Sequence, residues 1–271
     1  MSNIQFALNH MSAPNLSIPD FFALAKSLGC DAVEIRNDLA GNAIIDGTPP
    51  ETIKAEAARH GLRIISINAL QRFNEWNDAR AEEAGQLIDY ARRSGAEALV
   101  LVPTNDGTGL DKQERAENLR RSLAALRSML DEAGVIGLVE PLGFESCALR
   151  SKTEAAAAIR ELSAKHSFKL VHDTFHHHLA GEEKLYPDLT GLVHISGVED
   201  REIDITDMRD SHRVLVGAGD RIANVEQIRA LRDLGFAGRY SFEPFATEVH
   251  DAADPAKLIG DSIAFVRHNA G

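Results

Sequence analysis

Short apolar or β-branched runs alternate along the chain with segments of helical periodicity, and the alternation never lapses. Ile4 to Leu8, Ala32 to Arg36, Arg63 to Asn68, Ala98 to Pro103, Val135 to Pro141, Lys169 to Asp173, Leu192 to Ile195 and Arg239 to Glu243 read as strands. Ala98-Leu99-Val100-Leu101-Val102 is continuously hydrophobic, as a parallel strand covered on both faces has to be. Between the strands, Ser17 to Leu28, Pro49 to His60, Glu75 to Ser94, Asp111 to Glu132, Lys152 to Ser163, His176 to Gly181, Val225 to Leu234 and Asp254 to His268 read as helices. Leu119, Leu123, Leu126 and Leu130, at steps of three and four, make one apolar face on the fourth of these. Gly197 to Arg221 is the longest stretch without a pattern, rich in charge and glycine, and a loop of that length in a compact domain is usually functional or mobile.

Eight β–α units with no linker between them predict a (β/α)8 TIM barrel, an α/β fold with a single domain over residues 1–271. A doubly wound sheet is the weaker alternative. Its first strand usually runs into a glycine-rich phosphate turn, whereas Leu8-Asn9-His10-Met11 has no glycine, and Val216-Gly217-Ala218-Gly219-Asp220 lies late in a loop.

The C-terminal ends of strands five to eight carry Glu140, Asp173, His194 and Glu243. Any one of them taken alone is a helix cap or an ion-pair partner. Together, at the face where barrel enzymes keep their sites, they form a three-oxygen, one-nitrogen set suited to one divalent metal ion, Zn²⁺, Mn²⁺, Co²⁺ or Mg²⁺. Buried carboxylates need a neutralising partner, and a dication supplies it. His176, three residues after Asp173, is the candidate for a substrate contact from the run His176-His177-His178, against a solvated turn as the alternative. Arg213 in the long loop suits a substrate hydroxyl or a developing oxyanion. Glu34, Arg36 and Asn68, at the ends of strands two and three, line the expected pocket wall, with a structural ion pair as the competing role for Glu34.

Charge narrows the partners. With 41 acidic and 29 basic residues the formal charge is −12, which speaks against a nucleic-acid or anionic-membrane surface. No apolar run approaches the ~20 residues of a membrane helix, and Met1 to Phe6 lacks the basic and apolar regions of a secretory leader, so a cytoplasmic location is expected. Two cysteines, Cys30 and Cys147, are too few for a disulfide framework or a thiolate zinc site.

Several segments resemble those of the xylose isomerase-like TIM barrels, and within them the inosose isomerases: Val33-Glu34-Ile35-Arg36, Ile67-Asn68-Ala69-Leu70, Asp173-Thr174-Phe175-His176, Val193-His194-Ile195, the Arg213 to Gly219 loop, and Phe242-Glu243. The resemblance implies that Glu140, Asp173, His194 and Glu243 hold the metal, that Glu140 and Glu243 are also the paired acid/base carboxylates, and that His176 and Arg213 touch substrate. It implies a sugar or cyclitol isomerase that interconverts inososes, 2-keto-myo-inositol to 1-keto-D-chiro-inositol, through an enediolate. A ketose 3-epimerase or hydroxypyruvate isomerase uses the same ligands, and a non-catalytic sugar-binding barrel keeps the pocket without the chemistry. The implied partner is a small polyol or keto-sugar, and monomer and homodimer both remain open. His212, Val216 and Gly197 depart from the family's pattern in the substrate-facing loops.

Overall fold

Eight parallel strands close on themselves in sequence order: β1 (Gln5–Asn9), β2 (Ala32–Arg36), β3 (Arg63–Gln71), β4 (Ala98–Val102), β5 (Ile136–Val139), β6 (Phe168–Asp173), β7 (Thr190–Ile195) and β8 (Arg239–Phe242), the last pairing with the first. The computed structural model describes residues 4–39, 41, 44, 47–109 and 111–271. Met1 to Asn3, part of the segment read above for a leader, lie outside the described residues. Around the barrel run α1 (Ile18–Ser27), α2 (Pro50–His60), α3 (Asp78–Ser94), α4 (Lys112–Ala133), α5 (Lys152–Glu161), α6 (Thr174–Ala180), α7 (Asn224–Asp233), the short α8 (Thr247–His250) and α9 (Pro255–Ala270). This is the (β/α)8 barrel that the alternation of runs predicts.

Local chemistry sets the helix ends. Ser17 accepts the Asp20 amide at the start of α1, with Pro19 in its first turn, and Asp111 accepts the amides of Gln113 and Glu114 at the start of α4. Gly95 and Gly134 follow α3 and α4 in the left-handed region, at φ 78° and 67°, where a side chain would be strained. α3 begins at Asp78, later than the periodicity predicts. Asn77 caps it by accepting the Arg80 amide, while Glu75 spends its carboxylate on Arg72 and Thr104. The long seventh loop is also more ordered than its sequence pattern: Gly197 and Val214 exchange backbone hydrogen bonds of 2.7 and 2.8 Å, and short 3₁₀ turns occupy Ile205–Asp207 and Asp210–His212. The four-residue α8 has no counterpart in the predicted elements.

The two faces of the strands divide the core. Outward residues such as Val33, Ile67, Leu99, Leu170, Val193 and Phe242 pack under the helices in one large cluster. Inward residues Ala7, Ala32, Val100, Leu138, Val171 and Leu192 form a second cluster that fills the barrel. Side chains on a strand return to the same face every second residue. The inward position after Leu138 is therefore Glu140, after Val171 it is Asp173, and after Leu192 it is His194. An apolar layer carries a polar one directly above it.

Candidate metal centre

That polar layer brings Glu140, Asp173, His194 and Glu243 together, all buried, with one candidate ligand atom from each lying within 4.8 Å of every other. His194 Nδ1 sits at the middle, 2.7 Å from Glu140 Oε1, 3.1 Å from Glu243 Oε2 and 3.9 Å from Asp173 Oδ2. β6 and β7 set the register that aligns Asp173 with His194, and β8 follows so that Glu243 rises one residue beyond its end. Asp173 has a second task. It caps α6, its Oδ1 accepting the His176 amide at 3.0 Å, so one carboxylate both starts a helix and faces the centre.

Two buried arginines hold the acids. Arg213 Nη2 donates to Asp173 Oδ2 at 2.6 Å and to Glu243 Oε2 at 3.2 Å, while its Nε reaches Ser196 Oγ and its Nη1 reaches Asp210. Its guanidinium lies between the rings of Phe175 and Phe245, 5.1 and 4.6 Å from their centroids. The loop backbone pins it in place, because Phe245 and Ala246 both donate amides to the Arg213 carbonyl. A Cβ at Gly197 would press against the Leu215 carbonyl, so the bare glycine lets the two arms of the loop meet. Arg36 Nη1 donates to Glu243 Oε1 at 2.8 Å, and Asn9 Nδ2 donates to the same oxygen at 3.1 Å.

The electrostatics follow from that arrangement. Burial would lift the Glu243 carboxyl, but His194, Arg213 and Arg36 hold it well below the usual carboxylate range. Asp173 is likewise lowered against the effect of burial, mainly by Arg213. Glu140 has no guanidinium on its oxygens, and burial pushes its carboxyl up. His194 rises well above an ordinary imidazole, because the charges of Glu243, Glu34 and Glu140 outweigh its burial.

A divalent ion fits this donor set. Glu34, Glu140, Asp173 and Glu243 are four buried carboxylates facing two buried guanidiniums, since Asp38 and Asp210 stand at the half-exposed rim. With His194 neutral the layer is short by two positive charges. Uncompensated charges in such surroundings cost several kcal/mol each, so a dication balances what the arginines leave over. Three carboxylate oxygens and one imidazole nitrogen suit Mn²⁺, Mg²⁺, Co²⁺ and Zn²⁺.

The structure distributes the other expected residues unevenly. His176, Asn68 and Arg213 line a cavity of about 350 Å³ above the layer, together with Arg36, Glu140 and Glu243. His176 is buried edge-on to Phe144 and Phe175, and its Nδ1 has no hydrogen-bond partner among the described residues. Glu34 departs from the expected place on the pocket wall. It is fully buried below the cavity, where its Oε2 accepts from Ser66, Asn68 and His194 Nε2. Burial would raise its carboxyl, and His194 brings it below the ordinary value. Asn9, Ser196 and Asp210 were not read from sequence. Asn9 was within reach of the alternation, standing two residues after the inward Ala7.

Residues 22–268 match the family described as xylose isomerase-like TIM barrel. The chain belongs to that family. A xylose isomerase domain-containing protein from Salmonella typhimurium LT2 superposes with a TM-score of 0.89 at 34% identity, over 98% of this chain and 99% of that one. The IolI protein, solved with a bound zinc atom, superposes with a TM-score of 0.87 at 20% identity, over 99% of each chain. An L-ribulose 3-epimerase reaches 0.75 at 20% identity, over 98% of this chain and 94% of the other. At those two identities the likeness is one of fold. A search of curated proteins gave no match. Glu140, Asp173, His194 and Glu243 stand at or just beyond the C-terminal ends of their strands, the face at which TIM-barrel enzymes keep their sites, and no described helix is long and apolar enough to cross a membrane.

Proposed function

We propose that this xylose isomerase-like barrel is a divalent-metal-dependent isomerase of neutral polyhydroxy ketones, with an inosose as the favoured substrate. The convergence of Glu140, Asp173, His194 and Glu243 on one point carries the reading. A divalent ion held by these four residues supplies Lewis-acid polarisation of a ketone carbonyl, which acidifies the adjoining C–H bond.

The chain's own residues then divide the proton chemistry. Glu243 is fixed by Asn9, Arg36 and Arg213, whereas among the described residues the Glu140 carboxylate has His194 alone within hydrogen-bond distance. Glu140 is thus the stronger base of the pair and takes the proton from the carbon beside the carbonyl. Delivery of that proton to the former carbonyl carbon, with the hydroxyl proton passing to the former carbonyl oxygen, exchanges ketone and hydroxyl without a nicotinamide. His176 and Asn68 line the cavity and orient the remaining hydroxyls.

Neutrality of the substrate is supported by the cavity wall. Arg36 is bonded to Asp38 and Glu243, Arg72 to Glu75 and Asp106, and Arg213 to Asp173, Asp210 and Glu243. Among the described residues no arginine of the wall is left over for a carboxylate or phosphate, which sets hydroxypyruvate behind a ketohexose as the rival substrate. Cys147 offers no nucleophile, because burial pushes its thiol up to about 11. The deciding experiment loads chelator-stripped protein with Mn²⁺, Co²⁺ or Zn²⁺ and follows an inosose, a ketohexose and hydroxypyruvate in D₂O. Deuterium uptake and a new ketone are expected with the inosose. Turnover of a ketohexose alone makes the chain an epimerase, and inertness toward all three with every metal ends the enzymatic reading.

A further inference from the structure

Glu34 is an unusual carboxylate. It lies in the middle of β2, fully buried, and the cavity above does not reach it. Among the described residues its single ionic partner is His194, whose Nε2 stands 3.2 Å from Glu34 Oε2. That same oxygen accepts from Ser66 Oγ at 2.5 Å and from Asn68 Nδ2 at 2.8 Å, and Asn68 also donates to Ser66 at 3.1 Å. A carboxylate so placed costs several kcal/mol of desolvation, and no lysine or arginine among the described residues pairs with it. As a plain core residue it makes little sense.

The orientation of the imidazole gives it a task. A neutral imidazole has one donor and one acceptor nitrogen, and the group on the far side decides which is which. Both nitrogens of His194 stand against carboxylates, Nδ1 against Glu140 and Nε2 against Glu34; in the neutral ring that a metal ligand has to be, Nδ1 would give its lone pair to the ion and Nε2 would keep the hydrogen and donate it to Glu34. Nδ1 is the atom that faces Glu140, Glu243 and Asp173.

We infer that Glu34 is a positioning residue of the metal centre, locking the ring and tautomer of His194 through Nε2 while Ser66 and Asn68 hold the carboxylate still. This rests on the metal reading above. Carboxylates behind metal-bound histidines raise the basicity of the ligating nitrogen, and their loss typically weakens metal binding by about 10–100-fold.

The test is Co²⁺ titration of chelator-stripped full-length protein, read by visible absorption and calorimetry with no substrate present. Glu34→Gln keeps the shape and removes the charge. It is expected to bind Co²⁺ roughly 10–100-fold more weakly, with an altered absorption band. In a His194→Ala background the same Glu34→Gln change is expected to cost nothing further, because the residue through which it acts is gone. Unchanged affinity in folded Glu34→Gln, or an equal loss with and without His194, overturns the inference. Failure of the wild type to bind Co²⁺ overturns the metal reading itself. Should Glu34→Gln not fold, Ser66→Ala is measured in its place. A smaller loss of affinity that vanishes in the His194→Ala background sustains the inference, and wild-type affinity refutes it.

Discussion

Arg213 donates to Asp173 across 2.6 Å, and both side chains are sealed from solvent. The pair is a standing substitute for part of a metal's charge, since Asp173 also belongs to the set that faces the centre. Arg213→Ala leaves Asp173 and Glu243 without their guanidinium and is expected to cost about 3–5 kcal/mol in chelator-treated protein. A dication compensates the same two acids, so adding Mn²⁺ should raise the unfolding midpoint more in Arg213→Ala than in the wild type. Equal or smaller gains in the variant would show that the arginine and the ion do not share those carboxylates.

Glu140 and Glu243 are expected to be indispensable to turnover for different reasons. Glu140→Gln would remove the proposed proton carrier, and Glu243→Gln removes the acid that Arg36 and Arg213 hold in place. Each should lower kcat by roughly 10²–10⁴-fold while the far-ultraviolet dichroism of the folded protein is retained. In a barrel that only binds its sugar there is no turnover to lose, and Glu243→Gln would keep ligand affinity and its biological effect.

Gly143 touches the site through α6. A Cβ at this position would collide with the His176 carbonyl oxygen and crowd Leu179 Cβ and the Ala180 amide. Gly143→Ala therefore displaces the helix that presents His176, without contacting a metal ligand. KM for the substrate is expected to rise about tenfold or more while Co²⁺ affinity stays as in the wild type. Loss of metal binding in Gly143→Ala would mean that α6 and the ligand layer move as one.

His10 makes part of the stability depend on pH. Its ring stacks on Phe21 with centroids 4.3 Å apart, and burial pulls its pKa down to about 4. The unfolded chain holds this imidazole near ~6.5, so between the two values the unfolded state binds more protons and stability rises with pH. The contribution is complete above ~6.5 and is lost as pH falls toward ~4, up to about 3 kcal/mol in all. Urea unfolding of metal-free wild type and His10→Phe across that window isolates the residue. The difference between them should move against the wild type as pH drops, and a flat difference would refute the assignment.

The architecture was legible because it is periodic. Three of the four inward ligands stand two residues after an inward apolar residue, Glu140 after Leu138, Asp173 after Val171 and His194 after Leu192, and that spacing is printed in the chain; Glu243 follows Ser241 instead. The supporting network was not legible, because its partners are brought together only by closure of the barrel. Arg36 and Glu243 are separated by 207 residues, and Glu34 and His194 by 160. Glu34 shows the consequence. Reading it as a strand-end residue puts it on the pocket wall, but it stands in the middle of β2, and the pairing of β2 with β3 turns it toward Ser66, below the cavity. The start of α3 was misplaced for a similar reason, since Glu75 favours helix locally and is recruited by Arg72 and Thr104 from outside it.

Beneath the ligand layer, Ala7, Ala32, Val100 and Val171 stop the barrel with side chains that water does not reach. The chamber above is accordingly closed at its floor. A ligand that reaches the layer enters and leaves on the side of the loops that follow the strands, so those loops, and not the barrel wall, screen what descends to it.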